Sequence, residues 1–541
     1  MKNLLTKRIA EGLTRKTAST CSKWAELYRV MPQGKWVFDD YPWTREMHDC
    51  ENEMVVGQKA AQMGFTEMCL NRCLYVIDIK GYSVLYVLPT DGNASDFSTG
   101  RFDPALELSP YMRNLFSNVK NIGHKRAGGA SLYVRGSRSR SDLKSLPVSE
   151  MVFDEVDEMD EKNITLAFER TSGQVARQAW LISTPTIEGK GVNRYFNEST
   201  QEHFFFKCPH CNKLTELIFP DCLVITSDDP KDKELYNSHI ICKECRQTLD
   251  HADKKTFLSK GVWVPKYSDR ITRGFHVNQL YSCRLDPWKI ASLWITSQSN
   301  PSDEQEFYNS KMGVTHAVKG AQLDDKTIDG CLGGYTEAYE ATRNTFNTMG
   351  IDVGTWLHYE ITQYAFSSND VSLDIHLITR AKVLKVGKVK TFEELEELMI
   401  RYNIISCVID NQPETRLALN FANKFDGYVK LCIYGRGVAG KIIHEHTESE
   451  QRITVDRTSW LDVSLGRFKN SSIKLPLNIP LEYKEHLKAP VRVYKKDSNN
   501  NSFAVYENVK ADHYAHARNY AEIALTLGIK AQEACDISSP I

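Results

Sequence analysis

Net charge is nearly absent from this chain of 541 residues, in which 68 Lys and Arg stand against 69 Asp and Glu. That balance excludes a uniform electrostatic coat for DNA or membrane, so contact with a polyanion has to come from local patches. Long apolar runs are missing as well. Nothing approaches the roughly 18 residues of a spanning helix, and no membrane partner is expected. The leading Met1-Lys2-Asn3-Leu4-Leu5-Thr6-Lys7-Arg8 lacks the apolar core of a secretory signal. The fourteen cysteines are therefore expected in a reducing compartment, as free thiols or metal ligands rather than disulfides. Neither an internal repeat nor a low-complexity tract interrupts the sequence. What remains is the composition of an ordinary soluble globular protein, 41% hydrophobic and 25% charged, long enough for roughly three or four domains with cores of their own.

From about residue 53 to 200, short apolar runs alternate with helical patterns, which predicts a parallel α/β sheet with strands at 53–56, 83–88, 131–134, 151–153 and 179–183. Residues 204–250 break that rhythm with short strands and cysteine pairs. It restarts with strands at 348–353, 358–365, 373–378 and 404–409, helices at 391–402 and 414–424, and a last helix near 511–527. The first thirty residues are basic and helix-patterned, with Lys2, Lys7, Arg8, Arg15, Lys16 and Lys23. They read as a surface helix or as an arm that touches a partner or nucleic acid.

Cys208-Pro209-His210-Cys211 and Cys242-Lys243-Glu244-Cys245 form two Cys-x-x-Cys knuckles. Each turns two thiolates toward one point, so the pair predicts a closed, structural tetrahedral Zn²⁺ site, with strands at 214–219 and 238–241 holding it. A redox motif needs only one such pair beside a helix. His210 and Cys222 lie close enough in sequence to replace a ligand.

Residues 57–66, Gly57-Gln58-Lys59-Ala60-Ala61-Gln62-Met63-Gly64-Phe65-Thr66, follow a strand and precede a helix pattern. That order can cradle phosphate oxygens on backbone N–H groups. Phe65 stands where a phosphate loop usually has Lys, leaving Lys59 as the available ammonium, and Thr66 stands where a hydroxyl reaches Mg²⁺. Met151-Val152-Phe153-Asp154-Glu155 is an apolar strand ending in two carboxylates. Nucleotide hydrolysis uses one such acid for Mg²⁺ and one to orient water. Asp157, Glu158, Asp160 and Glu161 follow and read equally as a solvated acidic face. Tyr86-Val87-Leu88-Pro89-Thr90-Asp91 and Leu181-Ile182-Ser183-Thr184-Pro185-Thr186 read as two further strand ends. Arg138, Arg140 and Lys144 lie in a basic stretch that can supply an arginine finger or contact DNA phosphates.

Farther along, Asp352 sits in the strand Thr348-Met349-Gly350-Ile351-Asp352-Val353, Asp410 ends Ser406-Cys407-Val408-Ile409-Asp410, and Asp512 opens the last helix. Three such acids can converge at one sheet edge and bind two Mg²⁺ or Mn²⁺ ions that activate water against a phosphodiester. His513 and His516 stand beside Asp512 without an assigned ligand role.

The combination, in this order, resembles the large terminase subunit of tailed phages, closest to its lambda-type branch. The residues that carry the likeness are Lys59 to Thr66, Leu88-Pro89-Thr90-Asp91, Phe153-Asp154-Glu155, Ser183-Thr184-Pro185, Phe206 to Cys211, and Gly274-Phe275-His276. The resemblance implies an α/β fold: a phosphate-loop ATPase core of the ASCE type (36–203) behind a basic helical arm (1–35). An inserted zinc ribbon (204–250), a remaining motor segment (251–340) and an RNase H-like nuclease domain (341–541) follow. It implies ATP contacts along Lys59, Ala60, Gln62, Gly64, Phe65 and Thr66, Mg²⁺ held by Thr66 and Asp154, and water oriented by Glu155. Tyr41-Pro42-Trp43-Thr44-Arg45-Glu46 matches the family's adenine-contacting stretch. The implied activity is ATP-driven movement of double-stranded DNA into a procapsid, with metal-dependent cutting of concatemers by Asp352, Asp410 and Asp512. The implied partners are DNA, a small terminase subunit, the portal of the procapsid and further copies in a pentameric ring, in the host cytoplasm. Two other readings are a helicase or repair ATPase with a nuclease domain, and a zinc-ribbon DNA-binding scaffold.

Overall fold

Fully apolar strands fold best where both faces are covered, and the amino-terminal half builds such a sheet. In the computed structural model, β1 (Met54–Lys59), β2 (Val84–Leu88), β3 (Ala130–Gly136), β4 (Glu150–Asp154), β5 (Gln178–Ser183), β6 (Glu202–Lys207) and β7 (Arg273–Val277) run parallel. Their spatial order is β6-β7-β1-β5-β4-β2-β3, inside an eleven-stranded sheet. Every residue of β4 and β5 is buried. The structure describes residues 18–117, 119–138, 146–171, 177–338, 345–367, 374–435, 442–444, 451–497 and 501–538. The basic residues at 1–17, Arg140 and Lys144 lie outside them.

The order β1-β5-β4-β2 puts one strand between the phosphate-loop strand and the acid-ended strand, as the ASCE reading expects. The chain divides into two compact units, Met1–His316 and Ala317–Ile541. In the second, β8 (Phe346–Val353) pairs antiparallel with β9 (Leu357–Phe366), and β9 with β10 (Thr379–Val389). On its other side β8 runs parallel to β11 (Ser406–Asp410), which runs parallel to β12 (Val429–Tyr434). Helices α2 (Arg457–Lys469), α3 (Leu481–Lys488) and α4 (His513–Ser538) belong to the same unit, as α1 (Phe65–Tyr75) belongs to the first. Among the described residues no helix is long and apolar enough to cross a membrane.

Three local expectations change. Of the strand expected at 373–378, residues 374–378 are not extended: the Asp374 side chain accepts from the His376 N–H and caps the short helix Ile375–Ile378, and extended pairing begins at Thr379. The strand expected at 214–219 shrinks to Leu214–Thr215, because the Leu217 N–H is taken by the Tyr281 hydroxyl (2.9 Å). Gly57 is a strand residue, not a loop residue. A β-carbon on it would stand 2.7 Å from the Phe65 ring, so its role is to admit that ring.

Candidate functional site

β1 ends at Lys59, and the chain crosses residues 60–64 to α1, with Gly64 at φ 84° in the left-handed region. Phe65 is buried, so any contact it makes with a phosphate comes from its backbone N–H. Ala60 N–H donates to the Val277 carbonyl (3.1 Å) and Ala61 N–H to that of Ser310 (2.7 Å). Gln62 also takes a positive φ, 61°. Trp43 is fully buried and its Nε1 donates to the Met63 carbonyl (2.9 Å), while Tyr41 packs against Gly64. This stretch packs against the loop at Met63 and Gly64.

The register sets Ser183 of β5 beside Gln58 of β1, and Asp154 of β4 beside Ile182. Loop and acids therefore share one edge. Lys59 is buried and its Nζ lies 3.1 Å from Glu155 Oε1. Burial alone would depress that ammonium, but Glu155 and Asp154 lift its pKa above the usual value. Glu155 turns out of the strand at φ 65°, its N–H held by the Ile182 carbonyl (2.9 Å), and accepts from the Ser183 hydroxyl (3.2 Å). Asp154 is buried and accepts from the Tyr86 hydroxyl (2.7 Å), while its Oδ1 is buried without a hydrogen-bond partner. Burial pushes its pKa to about 6; Lys59 pulls it down, Glu155 pushes it up, and the Tyr86 and Thr66 hydroxyls lower it. A buried carboxylate oxygen with no donor fits a divalent cation, with Thr66 beside it. Asp157 is not solvated: it accepts from the N–H groups of Thr186 (2.7 Å) and Val192 (2.8 Å). Arg138 is exposed.

The four cysteines converge. One sulfur from each of Cys208, Cys211, Cys242 and Cys245 lies within 4.8 Å of the others. The knuckles repeat one turn: Cys208 N–H to Lys213 O and Asn212 N–H to Cys208 O, then Cys242 N–H to Gln247 O and Arg246 N–H to Cys242 O, all at 2.9 Å. Asn212 and Arg246 both take positive φ. His210 instead bonds the Thr248 carbonyl and Cys222 points at the Glu216 carbonyl, so neither substitutes for a ligand. Four thiolates on two matched turns fit Zn²⁺, with no open position.

In the second unit, Ile351 pairs with Ile409, so Asp352 and Asp410 sit at the same level on adjacent parallel strands. Burial raises the Asp410 pKa to about 6, and the Asp352 charge adds to it. α4 reaches this edge because Gly350 has no side chain; a β-carbon there would overlap the Ala517 carbonyl and the Ala521 N–H. Asp512, just before α4, turns toward His516 Nε2 (3.2 Å) and Arg457 (3.5 Å). Burial works against its charge, but His516, Arg457 and His513 hold its pKa below the usual value. The tightest gathering around Asp352 is with histidines: His513 Nδ1 lies 2.8 Å from Asp352 Oδ2, and His358 is the cross-strand partner of Asp352. Sequence reasoning left His513 without a role and passed over His358, although a hairpin turning after Val353 pairs position 352 with 358.

The family described as "Phage terminase large subunit gpA, ATPase domain" matches residues 31–263, and "Terminase large subunit gpA, endonuclease domain" matches residues 272–522. The large terminase subunit of Escherichia phage lambda is 23% identical over 385 residues, 63% of this chain and 59% of that protein. That of Enterobacteria phage P21 is 23% identical over 383 residues, 62% of this chain and 58% of that protein. The chain thus spans less than two thirds of the length of these relatives. The crystal structure of the HK97 bacteriophage large terminase is similar with a TM-score of 0.48 and 10% identity, over 94% of this chain and 99% of that one.

Proposed function

This chain belongs to the gpA family of phage terminase large subunits, with its ATPase and endonuclease domains, and on that premise we propose that it packages DNA. ATP hydrolysis by the first unit moves double-stranded DNA into a procapsid, and the second unit cuts concatemers. The observation that carries the motor reading is the meeting of Lys59, Asp154 and Glu155 at one sheet edge beside a loop and a helix start.

Lys59 and Glu155 neutralise each other in this structure. A triphosphate on the loop brings more negative charge to the ammonium than one carboxylate does. Lys59 then swings its hydrogen bonds to phosphate, and the freed Glu155, still positioned by Ser183, orients the attacking water. Lys59, Gln62, Gly64, Phe65 and Thr66 line the phosphate path, whereas buried Ala60 gives its N–H to the Val277 carbonyl; Thr66 with Asp154 would hold Mg²⁺, whose chemistry is to screen phosphate charge. Cys208, Cys211, Cys242 and Cys245 would hold a structural Zn²⁺. Asp352, Asp410 and Asp512 would hold Mg²⁺ or Mn²⁺, which lowers the pKa of water and stabilises the leaving oxygen. The proposed domain limits are 36–203, 204–250, 251–340 and 341–541; the third segment runs across the boundary between the two units at 316/317. A small terminase subunit, a portal-bearing procapsid and a pentameric ring of copies, in the host cytoplasm, complete the reading.

The test is ATP turnover with and without DNA. Glu155→Gln is expected to keep nucleotide affinity within about twofold and to lose at least about 100-fold in turnover, since water orientation and not binding is removed. Lys59→Ala is expected to weaken nucleotide binding itself. Normal turnover in Lys59→Ala would assign the phosphate contacts to another cation.

A further inference from the structure

Two imidazoles stand close to the Asp352 carboxylate, and a third packs against both of their rings. His358 on β9, His486 on α3 and His513 at the start of α4 have ring centroids 4.6 Å (358 to 513), 5.8 Å (358 to 486) and 5.6 Å (486 to 513) apart. One ligand atom from each of Asp352, His358 and His513 lies within 4.8 Å of the others. His358 is 5% exposed, and its Nδ1 is buried without a hydrogen-bond partner. An unpaired ring nitrogen in a buried position normally finds a donor or a metal. Its neighbour Asp352 is engaged by His513 Nδ1 at 2.8 Å.

Resting on the nuclease reading above, we propose that His358 and His513 join Asp352 as ligands of one of its metals, making that position a mixed nitrogen and oxygen site. Such a donor set selects a divalent first-row transition ion over Mg²⁺, which demands oxygen ligands and gives up water reluctantly. The His358 and His513 rings stack at 8°, so they must swing apart before both nitrogens face one ion. His513, with a side chain 41% exposed, is the ring free to turn. His486 then forms the wall behind it, its Nδ1 facing the Tyr514 N–H.

The probe is Mn²⁺ titrated into the whole 541-residue chain, as purified and without nucleotide, read by electron paramagnetic resonance, with pulsed measurements for nitrogen coupling. The expected result is one bound Mn²⁺ carrying ¹⁴N coupling, displaced only by a large excess of Mg²⁺. His513→Gln should weaken that ion at least about 10-fold and reduce the coupling, and His358→Gln should do the same. Because His358 is buried and its variant can lose stability, His513→Gln decides the matter, with a thermal melt on the same sample. Mn²⁺ bound through oxygen alone, or with an affinity within twofold of wild type in His513→Gln, overturns the proposal. Plasmid cleavage separates this from the reading it rests on. Cleavage that requires Asp352 and Asp410, together with oxygen-only Mn²⁺, removes the histidines and keeps the nuclease. Nitrogen-coupled Mn²⁺ without cleavage in any metal keeps the site and removes the nuclease.

Discussion

Asp154 holds a charge in a place that resists one. Its pKa of about 6 in the folded protein lies above the unfolded value of about 3.9. The folded state therefore binds the proton more tightly, and stability falls as pH rises through that interval and levels off above it. Asp154→Asn removes the charge and keeps an acceptor for the Tyr86 hydroxyl. Without nucleotide or metal it is expected to gain about 1–3 kcal/mol at pH 8, a gain that shrinks toward zero near pH 4, while ATP turnover disappears. Thermal melts at the two pH values check this. A variant less stable than wild type at pH 8 would mean that the attraction to Lys59 outweighs burial. Asp154 and Glu155 were legible in the sequence because two acids ending an apolar strand have no packing role. Asp157 was not, since nothing in a run of acids tells which one turns inward to collect the Thr186 and Val192 N–H groups.

At the scale of elements, what could be read was what is encoded locally. The Cys-x-x-Cys pairs announce their turns, and Cys242→Ser is expected to lower bound zinc from about one per chain and to cost solubility, because closing the site is coupled to local folding. Metal analysis on purified protein decides it; full occupancy in the variant removes Cys242 from the ligands. The histidine cluster was hidden, because it depends on the β8–β9 register and on the backbone approach of α4 that Gly350 permits. Also hidden was the device that fixes α4. Arg518 and Glu522 on this helix and Arg467 on α2 are fully or almost fully buried, with Glu360 on β9. Glu522 accepts from Arg467, Arg518 and His376. Burial opposes its charge, but the two guanidinium groups hold its pKa far below the carboxylate range. Glu522→Gln leaves buried Arg467 without its carboxylate and Arg518 with Glu360 alone, and is expected to cost about 3–5 kcal/mol at pH 7. A group with a depressed folded pKa gives its stability above the unfolded value, about 4.3. The difference from wild type should therefore narrow as pH falls below that value. Urea unfolding at pH 7 and pH 4 measures both points.

Across the whole molecule, the near-zero net charge leaves function to local chemistry, and the residues proposed for each reaction fall within one unit. Lys59, Thr66, Asp154 and Glu155 all belong to Met1–His316, and Asp352, His358, Asp410, Asp512 and His513 all belong to Ala317–Ile541. Neither proposed reaction borrows a side chain from the other unit, so defects should partition. Glu155→Gln is expected to cut plasmid DNA at close to the wild-type rate without ATP. Asp352→Asn, Asp410→Asn and Asp512→Asn should each lose most cleavage while keeping ATP turnover. If the three acids act through shared metals, a second substitution among them adds little, because groups that work as one unit are non-additive. Asp512 differs from the other two acids, since its carboxylate faces His516 and Arg457 in this structure. Should it serve only to seat α4, Asp512→Asn will lose stability and cleavage together, and a temperature low enough to restore the fold will restore cutting. Loss of cutting at every temperature, with an unchanged melt, places Asp512 on the metal with Asp352 and Asp410.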